Sequence, residues 1–515
     1  MIEALVTLFN DVMEPNAVTP QEWRTTVIKV LFKDGDPKLP SNYRPISIIP
    51  ILYKLLSRLI MNRIRSTLDS HQCADQVGFR SGYSTDDHLF TFCQLQEKCK
   101  EWRQDLWIAA VDFRKAFDTV SHQKLYQMLR EHGVPEIYVN FYEKFYGNQE
   151  GCVQLDVLSK KFGFKRGVKQ GDPISPIFFN CILEGIFEQL KTTWHSKQYG
   201  LTVGTRQLTN LRFADDVLLV GKSLAEVQQI LADLAEIAKD HGLALHPGKT
   251  KILSSKYNRT AAEQATHTWV LNSKVEILPL HGQTKYLGRL ISFHDPHTTE
   301  IKHRMKKAWA AFHANKHILC NRSYPLKQRL KVFNAVVTPT AMYGAGSWTL
   351  NQTTEAILKR TERQMLRSIL QERRQTIPSA AQIANNTDTN TITSTSTTSS
   401  STSTSTASSH PTEHLEPWHT WIQRATRRIE GYSAKWGLED WVHLAKKRIF
   451  NWAGHVSRRH DNRWSTEMLD WTPPRGRLFQ EEGQGRRQSR PKTRWEDCLV
   501  DYFSTTTTVP LENIC

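Results

Sequence analysis

The chain has 515 residues, enough for two or three domains with cores of their own, and its 68 Lys and Arg against 51 Asp and Glu give a net charge of +17. That excess of positive charge points to a polyanionic partner. Eight scattered cysteines with no C-x-x-C pair exclude a zinc knuckle and a disulfide framework and fit a reducing compartment, and no apolar run approaches the ~18 residues that cross a bilayer.

"MIEALVTLFNDV" opens directly on a helical pattern (Ile2, Leu5, Leu8, Phe9) and lacks the basic start of a signal peptide. A fragment of a larger architecture is expected, intracellular, in nucleus or cytoplasm, with no membrane contact and an oligomeric state the sequence leaves open. Further on, "WIAAVDF" reads as a buried strand, Trp107 to Val111, that delivers Asp112 at its end. A helix follows with Ser121 as N-cap, Leu125, Met128 and Leu129 on one face, and Gly133 past its end. "QGDPISPIFFNCILEGIFEQL" starts a second helix at Pro176 after Ser175, with Phe179, Ile182, Leu183, Ile186 and Leu190 at helical spacing.

"LRFADDVLLVG" then places Asp215 and Asp216 between two apolar runs, the pattern of a hairpin turn. Two carboxylates ~4 Å apart repel by about 4 kcal/mol at an intermediate dielectric, so such a pair calls for a cation or water. After it come a capping box (Ser223 with Glu226) opening a helix that ends before Gly242, and short strands at "LALH" and "TKILSS". This succession predicts an α+β sheet with helices on one face and acids at its strand ends. Asp112, Asp215 and Asp216 are the three carboxylates such a sheet brings together, an oxygen set suited to Mg²⁺.

"AAVDFRKAFDTVSH", "GVKQGDPISPIFFNCILE" and "FADD", in this order, resemble the reverse transcriptases of non-LTR (LINE-type) retrotransposons. "NYRPISIIPILYKLLSRLI", "QVGFRSGYSTDDHL", "LHPGKTKIL" and "TKYLGRLIS" look like the remaining blocks, and the similarity is dense from Trp23 to Ser292. It implies a right-hand polymerase with fingers, a ferredoxin-like palm and a helical thumb, followed by a small, mainly helical tail. The corresponding regions are 1–106, 107–292, 293–375 and 413–503, with a Ser/Thr-rich disordered linker at 386–412.

The resemblance implies RNA-directed DNA polymerase activity on an RNA template, with a DNA primer or target DNA, dNTPs and two Mg²⁺ ions, or Mn²⁺ in their place. Asp112, Asp215 and Asp216 become the metal-binding catalytic acids, and the backbone carbonyl of Phe113 a further ligand. Phe117 falls where an aromatic gate excludes a 2′-hydroxyl, though a core Phe at a helix start reads the same way. Lys33, Arg44, Gln170, Gly171 and Lys249 fall at dNTP-binding positions. The Gln170–Gly171 pair also reads as a turn before a helix, and Lys33 and Lys249 also read as solvated charges. Arg80 matches a template contact, and Tyr286, Leu287 and Gly288 match a primer-grip turn.

The segments after Phe293 are amphipathic with basic outer faces, consistent with a clamp on nucleic-acid phosphates or an ordinary helical bundle. In the tail, Trp alternates with Arg. Those aromatics either stack on unpaired bases or form the core of a helical domain, with Trp421, Trp441 and Trp452 as its centre. His455 has no Cys neighbours for a zinc site, and neither an endonuclease nor a ribonuclease H constellation is visible. Two rivals remain: a decayed or domesticated element that only binds nucleic acid, and a group II intron maturase-like enzyme.

Overall fold

The computed structural model of the chain describes residues 1–33, 35–256, 259–261, 263–377, 414–473 and 493–506. The linker expected at 386–412 lies outside the described residues. Two compact units form, one of Met1–Glu300 with Gly344–Thr349 and the stretch from Arg448 onward, the other of Ile301–Tyr343 with Leu350–Lys447.

The first unit runs α1 (Ile2–Met13), α2 (Gln21–Arg24), β1 (Thr25–Phe32), β2 (Tyr43–Ile48), α3 (Ile51–His71), α4 (Thr85–Glu101), β3 (Trp107–Val111), α5 (Ala116–Thr119), α6 (His122–Glu131), α7 (Glu136–Gly147), β4 (Glu150–Gln154) and β5 (Phe162–Gly163). It continues with α8 (Ser175–Ser196), β6 (Leu201–Val203), β7 (Arg206–Leu208), β8 (Asn210–Phe213), β9 (Asp216–Gly221), α9 (Leu224–Asp240), β10 (Lys251–Ser254), β11 (His267–Val270), β12 (Ser273–Ile277), β13 (Thr284–Tyr286) and β14 (Arg289–Ile291).

The central sheet has the order β11-β12-β10-β3-β9-β8. Every residue of β3 is buried, and β9 is buried throughout except at its first residue, Asp216. Their uninterrupted apolar runs are the mark of strands covered on both faces. α9 packs on β3 and β9, α8 on α9, and α6 on α8. The expected helices form within a residue or so: the Ser121 hydroxyl accepts from the Lys124 N–H, Ser223 from the Glu226 N–H, and α8 starts at Ser175 ahead of Pro176. "LALH" makes a single bridge, Leu245 to Phe113, instead of a strand. Pro247 and Gly248 follow at once and cut short any ladder.

A second sheet, β2-β1-β4-β5, pairs the β1–β2 hairpin in parallel with β4, so strands 100 residues and more downstream complete the sheet begun at Thr25. The α+β class read from the sequence holds. Among the described residues no helix is long and apolar enough to cross a membrane.

The second unit is helical. It takes in most of α10 (Pro296–Ala314), then α11 (Lys316–Leu319), α12 (Leu326–Val332), a π turn at Phe333–Val337, α13 (Thr338–Ala341), α14 (Gln352–Leu370), the strand pair β15 (Thr376–Ile377) and β16 (His414–Leu415), α15 (Trp418–Trp436) and the start of α16 (Trp441–Ser457). Trp441 is fully buried here, lying 5.8 Å from Phe333 with the rings parallel and donating from its indole N–H to Thr338 Oγ1. The rest of α16, with α17 (Trp464–Asp470) and α18 (Asp497–Thr506), belongs to the first unit. The C-terminal region is therefore helical, as expected, and its helices divide between the two units.

Candidate active site

β3 and β9 are antiparallel neighbours with Val111 opposite Val217, so Asp112 leaves β3 at the end of the sheet where Asp216 begins β9. β8 and β9 close with Phe213 opposite Asp216, which leaves Ala214 and Asp215 as the two turn residues. Ala214 is buried and left-handed, φ +54°. A two-residue turn of that hand matches the twist of its strands, and it presents both acids at the rim.

The backbone of Asp112 is tied on both sides by one loop. Its N–H donates to Thr250 Oγ1 (3.3 Å) and its carbonyl accepts from the His246 N–H (2.7 Å), while the Arg114 N–H donates to the Ala244 carbonyl (2.8 Å). Lys249 lies in that same loop with its side chain exposed. The Phe113 ring is buried, and its bridge to Leu245 fixes the backbone that carries its carbonyl.

The three acids sense one another. Asp216 is exposed at the rim, yet the protein around it displaces part of its water, and this partial desolvation and then repulsion from Asp215 and Asp112 raise its carboxyl to about 6, with Lys33 opposing. Asp215 is raised as well, first by desolvation and then by Asp112, while its own backbone, Lys33 and Arg44 pull it down. Lys33 and Arg44 reach this site from the β1–β2 hairpin, where Arg44 pairs with Leu31 and the Lys33 N–H donates to the Asn42 carbonyl. Among the described residues, no three His, Cys, Asp or Glu side chains converge closely enough to grip an ion as they stand. The donor set nonetheless suits a hard divalent cation: it is all carboxylate, and its negative charge exceeds what the two facing cations offset.

Other expected site residues have clear places. Phe117 is half-buried in α5 and stacks on Phe179 with centroids 4.7 Å apart, while its carbonyl accepts from the Val168 N–H. The Gln170 carbonyl accepts from the Ser47 N–H (2.8 Å) and its amide donates to Asp118. Gly171 has φ +118°, and a Cβ there would lie 2.7 Å from the Ser47 carbonyl oxygen. The close approach to β2 already requires glycine at this position.

Arg80, half-buried, donates to the carbonyls of Cys73 and Gln76 and, at 3.4 Å, to that of Asp69, and it lies over the Tyr83 ring, closing the C-terminal end of α3. Tyr286 is buried beneath the acids, its hydroxyl 3.3 Å from both the Leu211 carbonyl and His88 Nδ1, and Leu287 is buried too. Leu287 and Gly288 are both left-handed (φ +47° and +74°), making a tight β13–β14 turn whose Tyr and Leu side chains are buried.

Sequence reasoning missed Gln76 and Gly78. Gln76 Oε1 accepts from the Ala214 N–H (3.0 Å) and from the Gly78 N–H (2.9 Å), and a Cβ on Gly78 would stand 2.5 Å from the Ala214 nitrogen. Only the block "QVGFRSG" hinted at them, and nothing in it distinguished Gln76 from a surface amide.

A sheet whose neighbouring strands bring three acids to one rim, opposite a hairpin bearing Lys and Arg, has the make-up of a nucleotide-polymerising palm. The family model described as reverse transcriptase (RNA-dependent DNA polymerase) matches residues 33–291, and the chain belongs to that family. The Pol polyprotein of the type-1 retrotransposable element R2 of Popillia japonica is 27% identical over 336 residues, covering 63% of this chain and 44% of its own length. The probable RNA-directed DNA polymerase from transposon X-element of Drosophila melanogaster is 26% identical over 349 residues, 64% of this chain and 36% of that protein. The non-LTR resemblance read from the sequence is borne out, and the chain spans less than half the length of either relative. Among solved structures, telomerase from Candida albicans in complex with the TWJ fragment of telomeric RNA covers 76% of this chain and 70% of its own, at 13% identity and a TM-score of 0.39.

Proposed function

We propose that the chain is the RNA-directed DNA polymerase of a non-LTR retrotransposon, extending a primer 3′-hydroxyl with dNTPs on an RNA template. The observation that carries this reading is the meeting of Asp112 with Asp215 and Asp216 at one end of the central sheet, opposite Lys33 and Arg44. Asp112, Asp215 and Asp216, with the Phe113 carbonyl, would hold two Mg²⁺ ions, which when bound supply charge neutralisation at the attacking and leaving oxygens. Lys33 and Arg44 face the triphosphate, Arg by its planar fork. The primer oxygen bonds to the α-phosphorus as the bond to the pyrophosphate oxygen breaks.

Residues 1–106 with β4 and β5 act as fingers, 107–292 chiefly as palm and 293–375 as thumb, with Phe117 limiting the sugar to a deoxyribose and Lys249 near the pyrophosphate. RNA template and DNA primer or target are the partners, held through phosphates by the basic surface. Primer extension on RNA and on DNA templates, with and without Mg²⁺, tests the reading. Failure of the purified chain to incorporate dNTPs on either template in Mg²⁺ would favour an element that binds without polymerising.

A further inference from the structure

The acid-bearing turn is held from behind by a short extended segment that is itself pinned by residues late in the chain. Residues Asp75 to Gly78 run beside β8: Gln76 bridges Arg212 in parallel, the Arg212 N–H donates to the Asp75 carbonyl (2.7 Å), and the Val77 N–H donates to the Arg212 carbonyl (3.0 Å). From this segment Gln76 reaches over to take the Ala214 N–H, while Asn180 donates to the Gly78 carbonyl (2.7 Å). Ala214 immediately precedes Asp215, so the orientation of that carboxylate depends on an acceptor outside the hairpin.

Asp75, in turn, is the anchor on which α17 sits. Its Oδ1 accepts from the Trp464 indole N–H at 2.6 Å, and its Oδ2 meets Lys191 (2.5 Å) and Asn210 (3.2 Å). Burial would raise this carboxyl, but Lys191, Arg212 and the bond from Trp464 bring it down to about 2, so it is a charged anchor. Trp464 is buried under the Arg206 guanidinium, 4.0 Å from its ring, and Arg206 pairs with Glu467. Around it the same segment grips α4 and the loop before it: Arg459 and Ser465 bind Asp87, Arg463 binds the Gly82 carbonyl and covers the Tyr83 ring, and Lys98 donates to the Met468 and Leu469 carbonyls.

We infer that the C-terminal segment Arg459–Trp471 is an intramolecular brace for the catalytic turn, with Trp464 and Gln76 as positioning residues that act through Asp75 and Ala214. The inference rests on the polymerase reading for its effect on rate, and on geometry alone for its effect on order. Trp464→Phe keeps an aromatic ring in place but removes the N–H together with the five-membered half of the indole; Gln76→Leu removes the acceptor and strands two buried N–H groups.

In the full chain, Trp464→Phe is expected to lower kcat for primer extension about fivefold and Gln76→Leu about tenfold or more, the worth of one buried hydrogen bond and of a stranded donor pair. KM for dNTP and the Kd for template–primer stay within about twofold, because neither residue reaches a ligand. Hydrogen exchange reads the same device without catalysis: peptides covering 75–78 and 210–218 exchange faster in both Trp464→Phe and Gln76→Leu. Wild-type exchange in those peptides together with wild-type kcat overturns the brace, as does a loss confined to template–primer affinity. Should Gln76→Leu not fold, Trp464→Phe decides alone. If the wild-type chain polymerises nothing, the polymerase reading fails, and the exchange result still decides the brace.

Discussion

Two carboxylates fixed on consecutive residues, with a third one strand away, cost stability unless something positive meets them, and that cost marks the site better than the residues' identity does. Asp215→Asn in the purified chain is expected to cut primer extension about a thousandfold or more, with RNA binding retained; near-wild-type extension sinks the assignment. Arg80 and Gly171 instead carry expectations for stability. Arg80→Ala gives up three carbonyl contacts and a ring contact inside the protein, so it should lower thermal stability by about 1–3 kcal/mol while leaving the salt slope of RNA binding unchanged. Gly171→Ala meets both a left-handed φ and the Ser47 carbonyl and should likewise cost about 1–3 kcal/mol, read by denaturant unfolding. The three acids were legible in the sequence because charge has no reason to interrupt an apolar strand. Gln76 was not, because a buried amide and a solvated one look the same on paper.

At the scale of elements, apolar periodicity gave α9 and β3 directly, since each presents an unbroken buried face to its neighbours. "LALH" failed as a strand because its partner was two residues of backbone beyond Asp112 instead of a ladder. Two elements late in the chain start on buried carboxylates: Glu362 accepts the N–H of Trp441 at the head of α16, and Glu97 accepts that of Trp495 just ahead of α18. Burial chiefly raises Glu97 to about 7 and Glu362 to about 8 from an ordinary value of 4.5. Between the ordinary and the raised value the folded chain keeps a proton that the unfolded chain has lost. The stability these two carboxyls contribute is therefore fully present below about pH 4.5 and is lost as pH rises to about 7 for Glu97 and about 8 for Glu362, by up to about 1.4 kcal/mol per pH unit for each. Desolvation holds His88 and His297 down to about 4 and about 3, and they act in the opposite sense below the ordinary imidazole value. The test is therefore a difference: in thermal melting across pH 4.5–8, wild type should lose stability relative to the Glu97→Gln, Glu362→Gln double variant as pH rises.

Across the whole molecule, the alternation of Trp with Arg in the tail allowed two readings, base stacking or core. The structure decides for most of the rings: Trp441, Trp452, Trp464, Trp471 and Trp495 are all buried, and Trp452 and Trp495 both pack on Phe90 of α4. Sequence could not choose because an indole beside a guanidinium serves either purpose. Trp452→Ala or Trp495→Ala should cost about 3–5 kcal/mol of stability, measured by denaturant unfolding, with RNA affinity of the folded fraction unchanged; a large loss of affinity at constant stability would restore the stacking role. Membership of the reverse transcriptase family was legible throughout, since its blocks span residues 33–291 in order. The tail's contribution to that same unit was not, because contacts across such a distance leave no local pattern.

Asp75 and Trp464 are 389 positions apart in the chain. At ordinary translation speeds of ~5–20 residues per second, the segment behind the acids waits about 20–80 s for its partner to leave the ribosome. All three acids and the hairpin that bears them exist long before then. On the proposed brace, a chain stopped before Trp464 holds all three acids without the contact that aligns their turn, so its primer extension should fall below that of the full chain.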